Sequence, residues 1–329
     1  MREGLFIKKN IDKWRKYQYE APTDPDEMAQ QFTELVNDLG YSKTFYQHSK
    51  VTQYLNDLAS RIYLTIYKNK REESSRITRF FKTELPLTIY KHHREILYAF
   101  LIFTGFAIMA AFSAAHDETF VRGVLGDRYV EMTEDNISKG DPFGVYKGEN
   151  SLNMFAYIAL NNIYVSFQVF VWGFFIGLGT IYMLFSNGVM VGSFQYYFFA
   201  KNLGWQSVLV IWTHGTLEIS AIILSGAAGL ILSNSILFPG SHKRLHSLMH
   251  GAKDGLKLMI ALVPILLVAA FLEGFVTRYS YSAMPYWITI TILVASFIFI
   301  AWYFVWYPIQ VQRRTKAEKS RWINYSPIR

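Results

Sequence analysis

Polar and apolar positions in this chain fall into separate blocks. Charged residues gather before residue 95, at 116–150, at 240–257 and beyond 310, and the stretches between them carry almost none. A charge at the bilayer centre costs about 3 kcal/mol or more, so such blocking predicts membrane spans. About twenty apolar residues cross a hydrocarbon core of roughly 30 Å. On that measure six helices are predicted, at about 96–115, 156–184, 189–203, 208–237, 258–275 and 286–307. The block at 189–203 is short, and a re-entrant hairpin would also fit it. Asn187-Gly188 and Pro239-Gly240 read as breaks between helices. The predicted fold class is all-α: a polytopic helical membrane protein of about six transmembrane helices plus a small helical cytoplasmic domain.

Residues 1–94 follow a different rule. Ile7, Ile11 and Trp14 share a helical face, as do Met28, Phe32, Leu35, Val36 and Leu39, and then Val51, Tyr54, Leu55, Leu58 and Ile62. Apolar stripes flanked by charge predict amphipathic helices that bury one side. Asp24-Pro25-Asp26-Glu27 has the form of a helix start, with Asp24 as the cap, and Gly40 is a plausible stop. The run at 68–79 reads as a charged loop or helix end. The domain reading is therefore 1–94 helical and cytoplasmic, 95–309 membrane, and 310–329 a basic cytoplasmic tail.

Charge then sets the expected orientation. The net charge is +8, and the bases sit at the ends of apolar blocks: Lys91 to Arg94, Lys243 to Lys257, and the tail. That is the positive-inside pattern rather than a nucleic-acid footprint. Both termini are expected in the cytoplasm of a cell with the chain in its inner membrane, which requires an even number of crossings. The more acidic segment 116–150 would face out. Cysteine is absent, which excludes disulfides, thiol nucleophiles and Cys-based metal sites. No phosphate loop, dinucleotide fingerprint, nucleophile elbow or His-Glu-x-x-His motif is present. No cofactor or bound metal is expected.

Three polar features interrupt the apolar blocks: Asn161-Asn162, His214-Gly-Thr-Leu-Glu218, and Glu273. Ionisable groups inside a span are functional candidates because their cost must be offset. His214 and Glu218 stand four apart and share a face, which continues through Ala221 and Ser225 to Ala228 or Gly229, within a small-residue run from Ser225 through Gly226 to Gly229. A small-residue stripe lets another backbone come close, within the chain or from a second copy. In the six-span topology Asn161, Asn162, His214, Glu218 and Glu273 fall at similar depth, which predicts one polar cluster in the outer half of the bilayer. Such a cluster has three readings: hydrogen bonds that fix helix register, a proton or cation pathway, or metal and hydrolytic chemistry as an intramembrane hydrolase. His242, His246 and His250 recur every four residues in a basic setting, which suits an amphipathic surface helix.

The Asn161-Asn162 pair, Asn187-Gly188, the HGTLE motif at 214–218, the Gly226–Leu230 run, Pro239-Gly240 and Ala269-Ala270-Phe271 leading to Glu273-Gly-Phe275 together resemble the stage II sporulation protein M family. The resemblance is to its widespread bacterial and archaeal branch with an N-terminal cytoplasmic extension. It implies a polytopic membrane protein with no established catalytic activity. Sporulation members act with cell-wall hydrolases. The wider branch is associated with RDD-type membrane proteins and MoxR-type ATPases. The extension and the acidic segment 116–150 separate this chain from the sporulation-specific type, so that role is not carried over. The expected function is a scaffold or transport-linked subunit of a membrane complex. Its partners would be the bilayer, a second copy, and membrane proteins or an ATPase recruited by residues 1–94.

Overall fold

The computed structural model describes residues 2–19, 25–68, 76–144, 150–241, 243–277, 279 and 284–324. Every regular element among them is helical. The chain forms two compact units, Met1–Arg76 and Ile77–Arg329.

The first unit holds α1 (Glu3–Tyr19), α2 (Pro25–Phe45) and α3 (Lys50–Lys68). Their apolar stripes meet in one core of Phe6, Trp14, Leu35, Val51, Leu55, Leu58 and Ala59. Trp14 is fully buried, and its indole N–H donates to Asp38 Oδ2 at 2.8 Å, so its polar end is satisfied. Helix α2 runs through Gly40, the expected stop, to Phe45. Gly40 costs helix propensity but no hydrogen bond, and Tyr41 beyond it stacks on Phe6. Pro25 takes the first helical position, while the expected cap Asp24 lies outside the described residues, as does most of the segment 68–79.

The boundary falls at residue 76, not 94. The short α4 (Arg76–Arg79) after its first residue, a π-turn (Phe80–Glu84) and α5 (Leu85–Lys91) belong to the second unit. Leu85 and Ile89 are buried in its core with Leu258, Leu262 and Phe304. Tyr303 and Tyr307 donate their hydroxyls to the carbonyls of Phe81 and Lys82, at 2.8 and 3.0 Å.

Long helices make up the rest of that unit: α6 (His93–His116), α9 (Ser151–Val171), α10 (Leu178–Ala200), α11 (Gly204–Leu237), α12 (Arg244–Phe271) and α13 (Tyr286–Ala301). Between α6 and α9 lie α7 (Glu118–Leu125) and α8 (Asp127–Ser138). The acidic segment expected as a loop thus carries two helices, and Val121, Val130 and Phe143 pack on Tyr197, Phe198 and Val210. Helix α11 is the hub and touches α6, α9, α10, α12 and α13.

Five of these helices, with their continuations, are long and apolar enough to cross a membrane: His93–His116, Ser151–Phe174, Gly204–Leu237, Arg244–Thr277 and Tyr286–Ala317. This is a helical membrane protein. Helix α10 has the length but is diluted by Thr180, Ser186, Asn187, Ser193 and Gln195.

The expected spans at 156–184 and 189–203 are redrawn. The chain turns at Trp172–Gly177, where Ile176 and Gly177 take left-handed backbone angles (φ 55° and 80°). Hydropathy runs unbroken across this turn and so gives no sign of it. Two contacts hold it in an apolar setting. Gly173 lies against Gly229, with no room for a Cβ, and Thr180 Oγ1 donates to the Val169 carbonyl at 2.9 Å. Asn187-Gly188, read as a break, lies inside α10. Asn187 donates to the Met183 carbonyl one turn back, so its amide is satisfied within the helix.

The end of the last span also moves. A π-turn at Trp302–Trp306 leads into α14 (Tyr307–Asn324), which carries the helix through Pro308 instead of stopping there. Proline removes one helical hydrogen bond, and a preceding π-turn shifts the pairing so that the axis continues.

Candidate intramembrane polar site

The site is assembled from three stretches that are distant in sequence. Helix α9 contributes Asn162, α11 contributes His214 and Glu218, and a π-turn after α12, Leu272–Thr277, contributes Glu273 and Thr277. Asn162 Nδ2 donates to Glu218 Oε1 at 2.6 Å. The carboxyl groups of Glu218 and Glu273 approach within 4.8 Å of each other. His214 Nδ1 pairs with Thr277 Oγ1 at 2.9 Å, and its Nε2 lies 3.9 Å from Glu273 Oε1. His214 and Thr277 are buried at 3% and 2% exposure.

Local sequence explains the geometry. His214 and Glu218 point the same way because they are one helical turn apart. Below them Ala221 and Ser225 are fully buried, Gly226 takes the side chain of Leu184, and Gly229 takes Thr180 and the Val169 carbonyl. The small stripe therefore seats α9 and α10 on α11 within one chain. That close seating carries Asn162 to Glu218. Opposite, the wider π-turn changes the pitch at Glu273, and such turns recur at functional sites.

The five expected residues do not all converge. Asn161 is exposed, and its hydrogen-bond partner among the described residues is Asn162, with Nδ2 3.4 Å from Oδ1. Thr277 escaped the sequence reading, although its spacing of four from Glu273 was a usable signal. A cavity of about 480 Å³ lies against the site, and Asn161, Asn162, Asn187, Gln195, His214 and Glu218 are among its walls. Gln195 is held by Ser207 and Trp212, at 2.8 and 2.7 Å. One ligand atom from each of His214, Glu218 and Glu273 lies within 4.8 Å of the others, so this triangle could hold a metal ion. His246 and His250 sit apart on an exposed stretch of α12 with their Nε2 atoms 3.0 Å apart, and His242 lies outside the described residues.

Residues 99–278, more than half of the chain, match the family model described as Stage II sporulation protein M. The chain belongs to the stage II sporulation protein M family. In this member the matched region runs from α6 to the π-turn and so contains every residue of the polar site. Residues 4–68 match a second model, described as a domain of unknown function (DUF8413), which spans α1 to α3 of the first unit. Comparison with curated proteins and with solved structures returned no match.

A second polar cluster went unread in the sequence, where Lys91–Arg94 served only as an orientation signal. His92 Nε2 lies 3.0 Å from Asp254 Oδ2, and its Nδ1 lies 3.8 Å from Glu95. Lys91 pairs with the same Asp254 oxygen at 2.7 Å, and Asn234 donates to Glu95 at 3.0 Å. Burial pushes the His92 imidazole down, but its hydrogen bonds to Asp254 and Glu95 outweigh this and hold it above its ordinary value.

Proposed function

We propose that this protein is a transport-linked subunit of a membrane complex whose helical bundle binds protons or cations at the Asn162–His214–Glu218–Glu273 site. The observation that carries this reading is the meeting of two carboxyl groups and an imidazole, from separate stretches of the chain, beside a largely apolar cavity whose walls include His214, Glu218, Asn187 and Gln195. A register lock needs only hydrogen bonds between helices and leaves the adjoining cavity without purpose. Two carboxylates this close repel each other in a low-dielectric span, and a proton or a cation bound between them relieves that repulsion. The site is thus chemically equipped to exchange a proton or a cation with the cavity. The six-crossing topology with both ends in the cytoplasm belongs to this proposal. It counts α10 as the crossing between the turn at Trp172–Gly177 and α11. Residues 1–76, with a core of their own, would recruit the partner.

Reconstitution of the full chain into vesicles tests this. The wild type is expected to dissipate an imposed proton or cation gradient. Glu218→Gln should abolish that flux while assembly and thermal stability are retained. Flux equal to the wild type in that variant would overturn the reading and leave the scaffold role.

A further inference from the structure

The two carboxyl groups and the imidazole are arranged as ligands, beyond their capacity to exchange protons. Each is oriented by an outer partner. Thr277 holds His214 Nδ1, which turns Nε2 towards Glu273. Asn162 donates to Glu218 Oε1, which fixes the orientation of that carboxylate. Outer hydrogen bonds of this kind fix the tautomer of a metal-bound histidine and the rotamer of a metal-bound carboxylate. We propose that His214, Glu218 and Glu273 form a binding site for one divalent transition-metal ion of the zinc-like, borderline class. The proposal rests on the cation-binding reading of the same site.

Charge selects the valence. Two carboxylates and a neutral imidazole sum to −2, which one divalent ion neutralises, and a neutral site is what a low-dielectric span requires. Donor type selects the class. Alkali and alkaline-earth ions favour oxygen alone, whereas an imidazole nitrogen beside carboxylates suits zinc and its neighbours. Three protein ligands leave a fourth position, and the cavity beside the site is the entry path. Ligand atoms around a tetrahedral zinc stand ~3.3 Å apart for bonds of about 2.0–2.1 Å. The triangle, at up to 4.8 Å, must therefore draw in, which flexible glutamate side chains permit. Carboxylate and imidazole ligands bind metal in their deprotonated forms, so uptake should strengthen as pH rises.

The test uses the full chain in detergent, with His246→Ala and His250→Ala as background, because those two nitrogens would bind metal themselves. Co2+ is titrated and followed by its visible d–d bands, and the coordination shell is read by X-ray absorption. The expected result is one Co2+ per chain with a single imidazole nitrogen among oxygen ligands. His214→Gln and Glu273→Gln should each weaken uptake at least tenfold. Asn162→Ala should weaken it about 10- to 100-fold by loosening Glu218. The shell measurement needs no variant at the site, so a misfolded variant does not decide the matter. Absence of saturable uptake, a shell with no imidazole or with two, or uptake indifferent to all three substitutions would overturn the metal site. Flux that depends on Glu218 without Co2+ uptake would overturn the metal site and leave the proton reading standing. Co2+ uptake without flux would do the opposite.

Discussion

Gly192 and Gly105 are both helical glycines in apolar surroundings, and their substitutions should act in opposite senses. A Cβ at Gly192 would lie 2.0 Å from the Ala107 carbonyl, where α10 crosses α6. Backbone cannot yield there as a flexible side chain would. Gly192→Ala should therefore destabilise the bundle by about 1–3 kcal/mol, the usual range for overpacking. Gly105 has nothing within 4 Å. Gly105→Ala should be neutral or stabilising by up to about 1 kcal/mol through helix propensity. Apparent melting temperatures of the two purified variants would check both signs. Gly188 and Gly192 are spaced for such a crossing in the sequence, yet the pattern names no partner helix. The same holds for the site. Spacing put His214 and Glu218 on one face, but only folding brings Asn162 and Thr277 to them.

Among the elements, the joints rather than the helices escaped the sequence reading. Apolar blocks located α6, α11, the later part of α12 and α13, because burial in lipid demands apolar length, but they ran α9 into α10. They did not locate the turn at Trp172–Gly177, whose polar backbone is satisfied by Thr180 and by packing on Gly229. Nor did they locate the π-turns before Pro86, at Glu273 and before Pro308, because a π-turn differs from an α-helix in pairing rather than in composition. The contact of His92 with Asp254 and Glu95 joins the start of α6 to α12. His92 is held above its ordinary value in the folded chain, so it stabilises the fold fully below the unfolded value of about 6.5. That contribution is lost as pH rises through the raised folded value. Melting of the wild type should fall as pH is taken upward from 6.5, and His92→Gln should flatten the slope. An unchanged slope would mean that the contact carries no linked proton.

For the molecule as a whole, orientation is decided by where charges lie along the chain, and the absence of cysteine makes it measurable. With Ser138→Cys a membrane-impermeant thiol reagent should label intact cells from outside, and with Lys243→Cys only after the inner face is opened. The reverse pattern would overturn the topology in which α10 counts as a crossing. The sequence by itself determined the membrane class, the helical N-terminal unit, the family and the residues whose polarity conflicts with lipid. The family follows from its motifs, and the other properties from composition and local periodicity, which any chain carries before it folds. Tertiary structure decided the rest: a unit boundary at 76, a chain turn at Trp172–Gly177, and Asn162 with Thr277 in place of Asn161 around the two glutamates. Each depends on which backbones can approach one another, and that is settled by small residues meeting across helices far apart in sequence.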